Sequence, residues 1–244
     1  MLSEMHEKLN TSETIDPNAG RFTVRLKFKK VGNLQYISHL DLQRTFNRVI
    51  KRSGIPAWYT KGFNPHMKLV FSSPLSIGTE SVCEYMDLRL SERVCAEEAM
   101  QMLNKNMTRE MQVIEAYYPE RKLTDLKWLS YTITIKTNGA TDELAKMCEQ
   151  ALYSDKIEVE KKTKSGPALV DIRPLIRSAY AVCDGDLIRI SAVLSADQST
   201  FLNPEYVVKA LKAKCGILSD PCLTNEYYSI MRERAYLDDM TDFA

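Results

Sequence analysis

Two histidines, His39 and His66, stand in a stretch of the chain that is otherwise dense in cations. A pair of imidazoles can deprotonate a ribose 2′-hydroxyl and protonate the leaving oxygen of a phosphodiester, with a Lys or Arg steadying the phosphate. Each histidine also has a plainer account. His39 falls at a helix start, where a local hydrogen bond would hold it, and His66 follows Pro65, where it would fix a turn. Two imidazoles without a third clear ligand do not make a dedicated zinc site, so no metal is expected. Ser38, beside His39, reads better as a helix cap than as a nucleophile.

The stretch from Arg21 to Lys68 holds eleven of the 33 Lys and Arg residues but only one of the 32 acids, Asp41. The chain as a whole carries a net charge of +1, so one fifth of it is cationic and the remainder anionic. Such an asymmetry points to an acidic partner, with nucleic acid first and an acidic protein second. Phosphate backbones need cations spaced along a surface, and aromatic rings add stacking on unpaired bases. The candidates for RNA contact are Arg25, Lys27 and Lys29 on a strand, Arg44, Arg48, Lys51 and Arg52 on a helix, and Trp58, Lys61, Phe63 and His66 in a loop. Solvated basic faces, with Trp58 and Phe63 packed on the core, are the structural alternative.

The elements that must position these residues follow from periodicity. Phe22, Val24, Leu26 and Phe28 alternate with Thr23, Arg25, Lys27 and Lys29, which predicts a half-buried strand with a basic outer face. Ser38-x-x-Asp41 is a capping pattern for a helix with Leu42, Phe46, Val49 and Ile50 inward, ended by Gly54 and Pro56. The cations from Arg44 to Arg52 lie about 200° around that helix from its apolar stripe. Gly62 and Asn64-Pro65 then break regular structure. Strands over Lys68–Phe71 and Cys83–Leu90, a helix over Glu92–Asn104 capped by Ser91, and a strand over Met111–Tyr117 complete a βαββαβ order.

A linker is expected over Pro119–Lys127, after which the order recurs. Leu129–Lys136 is the first strand, and Thr141 caps a helix. Strands start at Ile157 and run over Ala168–Ile172 and Asp186–Leu194. Asn203-Pro204 opens a second helix, and Tyr227–Arg234 is the last strand. The expected architecture is α+β, with two tandem ferredoxin-like (βαββαβ) units of antiparallel sheet: residues 21–118 and 128–238, after a flexible N-terminal arm over 1–20. Val170-Asp171-Ile172-Arg173-Pro174 sets Asp171 and Arg173 on one side of an extended segment, where they are expected to form a local ion pair, with substrate contact as the alternative.

Several function classes lack their usual supports. The six cysteines show no C-x-x-C and no paired spacing, which favours reduced thiols in a cytoplasm. There is no C-x-x-x-C-x-x-C run to hold an iron–sulfur cluster, and no phosphate-binding glycine motif. No apolar run approaches the roughly 20 residues of a membrane span. Nothing in the sequence calls for a cofactor of the chain's own, and the oligomeric state is open.

Ile37-Ser38-His39-Leu40-Asp41-Leu42, Gly62-Phe63-Asn64-Pro65-His66, Pro74-Leu75-Ser76-Ile77-Gly78, Glu84-Tyr85-Met86-Asp87 and Val170-Asp171-Ile172-Arg173-Pro174 together resemble one bacterial family. It is the domain of unknown function called radical SAM-associated protein, found alone or fused behind a radical SAM enzyme. The likeness covers about Arg21 to Asp238, with Met67 standing where members often have a second proline. It implies a radical SAM enzyme as partner, and the family's gene neighbourhoods imply RNA or ribosome-related metabolism. The tandem order is also similar to that of CRISPR repeat-processing endoribonucleases, an analogy of fold that transfers no mechanism. The expected function is a noncatalytic RNA-binding or substrate-presenting subunit. The alternatives are a metal-independent endoribonuclease using His39 or His66, and a protein-docking adaptor.

Overall fold

The computed structural model describes residues 22–163, 166–197, 199–220 and 225–243; the arm expected over 1–20 and Cys222 lie outside them. The chain is a mixed α+β protein with a large, mostly antiparallel sheet and four helices among the described residues. In the first half these are β1 (Phe22–Lys30), α1 (His39–Ser53), β2 (Leu69–Phe71), β3 (Thr79–Leu90), α2 (Ala96–Asn104) and β4 (Val113–Tyr117). In the second they are β5 (Trp128–Lys136), α3 (Asp142–Leu152), β6 (Glu158–Thr163), β7 (Gly166–Asp171), β8 (Ile176–Asp184), β9 (Leu187–Ser195), α4 (Glu205–Cys215) and β10 (Tyr227–Tyr236).

The strands lie in the order β4-β1-β3-β10-β5-β9-β8, with the short β2 paired to β3. β3 is long enough to serve two neighbours. Its later part pairs with β2, Leu69 opposite Leu88 and Phe71 opposite Met86, while its start pairs in parallel with β10, Ile230 opposite Thr79 and Arg232 opposite Ser81. A bulge makes this junction work. Phe28 pairs with Glu84 and Lys30 with Ser81, so β3 spends one extra residue between them, and Ser81 and Thr79 return to the face shared by Glu84, Met86 and Leu88. Through that register Ile230 and Arg232 point to the same side as the first half's apolar stripe.

Two hydrophobic cores result. Val24, Leu26 and Phe28 of β1 meet Leu42, Phe46, Val49 and Ile50 of α1 and Ala99 and Leu103 of α2. Leu129, Ile133 and Ile135 of β5, with Ile188, Ile190 and Leu194 of β9, meet Ala145, Cys148 and Leu152 of α3 and Val207 and Leu211 of α4. Each fully buried aliphatic side chain contributes about 1.5–3 kcal/mol. The Ser38 hydroxyl accepts from the Asp41 amide at 3.1 Å, and Gly54 closes α1 at φ 72°, as the capping signals predict. At α4 the Asn203 side chain accepts from the Glu205 amide at 3.1 Å.

Three expectations are corrected. α2 begins at Ala96 rather than Glu92, and Ser91 does not cap it; the Tyr118 hydroxyl accepts from the Val94 amide and donates to the Val94 carbonyl, which holds that segment out of the helix. The segments near Ile157 and Ala168–Ile172 are not strands of the large sheet but a separate hairpin, β6–β7. The sheet position goes instead to β8, which the sequence pattern passes over because its inward residues after Ile176 are the small Ala179 and Ala181. Finally, Asp171 and Arg173 serve the backbone rather than each other. Asp171 accepts from the amides of Ile157 and Arg173 at 2.8 and 3.0 Å, while the Arg173 guanidinium donates to the Ile176 carbonyl at 2.8 Å.

Candidate nucleic-acid interface

α1 presents its cations as its sequence demands. Leu42, Phe46, Val49 and Ile50 are buried, and Arg44, Arg48, Lys51 and Arg52 are exposed on the opposite side. At the first turn Asp41 takes a hydrogen bond from the Ser38 hydroxyl at 2.7 Å and another from Arg44 at 3.2 Å; these hold its carboxyl below the usual range. Only Arg44 of the four has a carboxylate partner among the described residues, and that pair is exposed and weak.

The loop after α1 is closed at its base and open at its tip. Tyr59 and Met67 form an isolated bridge, and the Thr60 amide donates to the His66 carbonyl at 2.9 Å. Met67 is buried and anchors the return. Gly62 sits at φ 133°, a conformation that L side chains rarely adopt, and next to it Phe63 is fully exposed, at 107%. The His66 amide donates to the Thr60 hydroxyl at 3.1 Å, and His66 Nδ1 lies 3.0 Å from that hydroxyl and 3.2 Å from the Asn64 carbonyl. These contacts fix the ring through one nitrogen. Lys61 and Lys68 are exposed on either side.

The structure thus leaves Arg44, Arg48, Lys51 and Arg52 exposed on α1, and Lys61, Phe63 and His66 exposed on the loop that follows it. It does not do so for the strand cations. Arg25, expected on an exposed basic face, is only 1% exposed and ion-paired with Asp87; Lys27 is half-buried 3.6 Å from Glu115, and Lys29 is half-buried. The alternation was read correctly, but the second face of β1 is covered too. Phe243, from the C-terminal segment, lies under the Arg25 guanidinium at 5.2 Å and edge-on to Tyr85 at 5.1 Å. Trp58 is half-buried, with the Arg89 guanidinium 5.9 Å above its ring.

His39 is apart from this surface loop in its contacts. Its Nε2 is 3.3 Å from the Gln43 amide nitrogen and its ring meets Phe71 edge-on at 5.1 Å. It borders a crevice of only about 10 Å³ with Lys30, Ser38 and Glu84, room for about one water molecule. Among the described residues no group of three His, Cys, Asp or Glu side chains could hold a metal ion. No helix of the described residues is long and apolar enough to cross a membrane.

Sequence reasoning missed a buried polar centre at the junction of the two halves. Arg232, 1% exposed, donates to Glu84 at 2.8 Å, to the Tyr131 hydroxyl at 3.1 Å, and to the carbonyls of Ser73 and Pro74 at 3.2 and 2.9 Å. Burial opposes its charge, but Glu84, Tyr131 and Cys83 outweigh that and raise its pKa. Lys30, also buried, donates to the Gln35 carbonyl at 3.3 Å; burial lowers its ammonium, Glu84 opposes that, and Arg232 adds to it. The available signal was Glu84, an acid on the apolar side of a strand, which needs a buried partner.

The comparisons with known proteins add a family and little else. No curated protein matches the chain. Among solved structures, a chain of "Crystal Structure of a Cbf5-Nop10-Gar1 Complex" aligns with a TM-score of 0.48 and 9% identity over 88% of this chain and 49% of that one. The present chain therefore spans about half the length of that relative. An unknown protein from Galdieria sulphuraria aligns with a TM-score of 0.28 and 8% identity, over 87% of this chain and 98% of that one. Likenesses at this level carry no function. A family model, by contrast, matches residues 23–204, which include every stretch that forms the exposed cationic surface. The chain belongs to the family DUF2344, described as uncharacterized protein conserved in bacteria.

Proposed function

We propose that the protein is a noncatalytic, cytoplasmic RNA-binding subunit that presents an RNA substrate to a radical SAM enzyme. The observation that carries the reading is Phe63. A solvent-exposed phenylalanine forgoes about 1.5–3 kcal/mol of burial, and this one stands at the tip of a loop whose base is fixed by Thr60, His66 and Met67. Flanked by Lys61, His66 and Lys68 and following the cationic face of α1, the ring is placed to stack on a base while the cations meet phosphates. A stacking ring needs an unpaired base, so the ligand is single-stranded rather than duplex RNA.

The fold supports the same reading at a coarser level. We read the orders β4-β1-β3-β2 and β10-β5-β9-β8 as two ferredoxin-like units joined by 119–127, a reading that the strand neighbours support. The radical SAM partner rests on the sequence resemblance; it would bring the cluster and the radical, and this chain the acidic substrate.

Fluorescence anisotropy with a labelled single-stranded RNA tests the reading. Phe63→Ala should weaken binding by about 5- to 150-fold, the effect of losing one stacked base, with no change in thermal stability. Absence of RNA binding at low salt, or unchanged affinity in the variant, overturns it. Crosslinking in cells, followed by identification of bound RNA and protein, tests the partner.

A further inference from the structure

A cavity of about 750 Å³ opens on the side of the sheet away from α1 and α2. The register places Thr23 opposite Arg89, Arg25 opposite Asp87, and Val70 also opposite Asp87, so all five residues share that face and form the floor. The walls are the connection between β4 and β5, with Arg121, Lys122 and Thr124, and the second half's Phe201. Its size falls within the 300–1,000 Å³ of small-molecule sites.

The floor holds charge at a cost. Arg25 is 1% exposed and donates to both oxygens of Asp87, at 2.7 and 2.9 Å, with Tyr117 as a further partner opposite it across β1 and β4. A buried ion pair is a poor way to stabilise a sheet, since apolar residues of similar volume often do as well or better. What the arrangement does provide is a carboxylate locked in place. Asp87 keeps 17% of its side chain exposed, borders the cavity, and has lone pairs left after both hydrogen bonds from Arg25.

We propose that this cavity binds one nucleotide unit, with Asp87 accepting from an N–H on the base edge and Arg89, Arg121 and Lys122 holding the phosphate. Four Lys and Arg residues line the cavity against the single carboxylate, so the ligand is anionic. The cavity is best matched by a ligand that also carries N–H donors, from which the remaining lone pairs of Asp87 can accept. Val70 on the floor and Phe201 in the wall supply apolar surface for a planar ring. Arg89, which lines the cavity, also lies over Trp58, and its carbonyl accepts from the Trp58 amide at 2.9 Å, five residues before Phe63.

The choice of ligand rests on the RNA-binding reading, and the experiment separates the two. Isothermal titration of the full chain is carried out with each of the four ribonucleoside 5′-monophosphates, the four nucleosides and inorganic phosphate. At least one monophosphate should bind at least ten-fold more tightly than its nucleoside and than phosphate. Arg121→Gln with Lys122→Gln should reduce that preference at least five-fold, and Thr124→Trp, which fills the cavity from an exposed position, should abolish binding. The inference is overturned if no monophosphate outbinds phosphate, or if the Arg121/Lys122 and Thr124 variants bind like the unaltered chain. Loss of mononucleotide binding with RNA binding intact sinks the cavity alone, and mononucleotide binding without RNA binding sinks the loop surface alone.

Discussion

Arg25 and Asp87 face each other directly across antiparallel β1 and β3 and close a bidentate ion pair with Arg25 almost wholly buried. Removing one partner leaves the other charge without compensation. Asp87→Ala should therefore cost about 3–5 kcal/mol in urea unfolding, whereas the double change Arg25→Met with Asp87→Leu should cost less than half of that. If the double variant is as unstable as the single, packing rather than charge is what the pair supplies.

The exposed cations of α1 should set the salt dependence of RNA binding. Each phosphate neutralised on a single strand contributes about 0.7 to the slope of log affinity against log salt. Replacing Arg44, Arg48 and Arg52 together by Gln should lower that slope by about 2, with α1 still folded by circular dichroism. An unchanged slope means the stripe serves another partner.

His66 separates a binder from a nuclease. Its backbone and Nδ1 are committed to Thr60 and Asn64, while Nε2 has no hydrogen-bond partner among the described residues. In a binder, His66→Ala should weaken RNA affinity by about 1–3 kcal/mol, with no turnover to lose. Multiple-turnover RNA cleavage by the isolated chain, reduced about 100-fold or more by His66→Ala, would replace the binding reading with the nuclease.

Acid should loosen the start of β5. Hydrogen bonds from Lys127, and then from the Ser199 amide and hydroxyl, push Asp197 down to about 2 from its ordinary 3.8. Because the folded value is the lower one, the contribution is complete above about pH 4 and is lost as pH falls towards 2. The stability difference between the unaltered chain and Asp197→Asn, followed by thermal melts, should shrink through that window. A constant difference down to pH 2 would show that the Lys127–Asp197 contact adds nothing.

The local sequence determined the pieces that depend on near neighbours. The alternation of β1 and β5, the Ser38 and Thr141 caps, the Gly54 stop and the opposed faces of α1 follow from periods of 2 and 3.6 residues, and each stands in the structure where its residues require. Phe63 was legible as an aromatic among turn formers; its full exposure was not. Tertiary structure alone decided which faces are covered. Alternation divides β1 into two faces but cannot reveal that Phe243, more than 200 residues later in the chain, lies against Arg25. Nor can a local pattern show a parallel pairing between β3 and β10, or a bulge that turns Ser81 towards Lys30, because both are set by contacts between distant segments. The exposed part of the candidate interface lay in helical and turn periodicity; the buried centres at Arg232 and Asp87 arose only when residues far apart in the chain were brought out of water together.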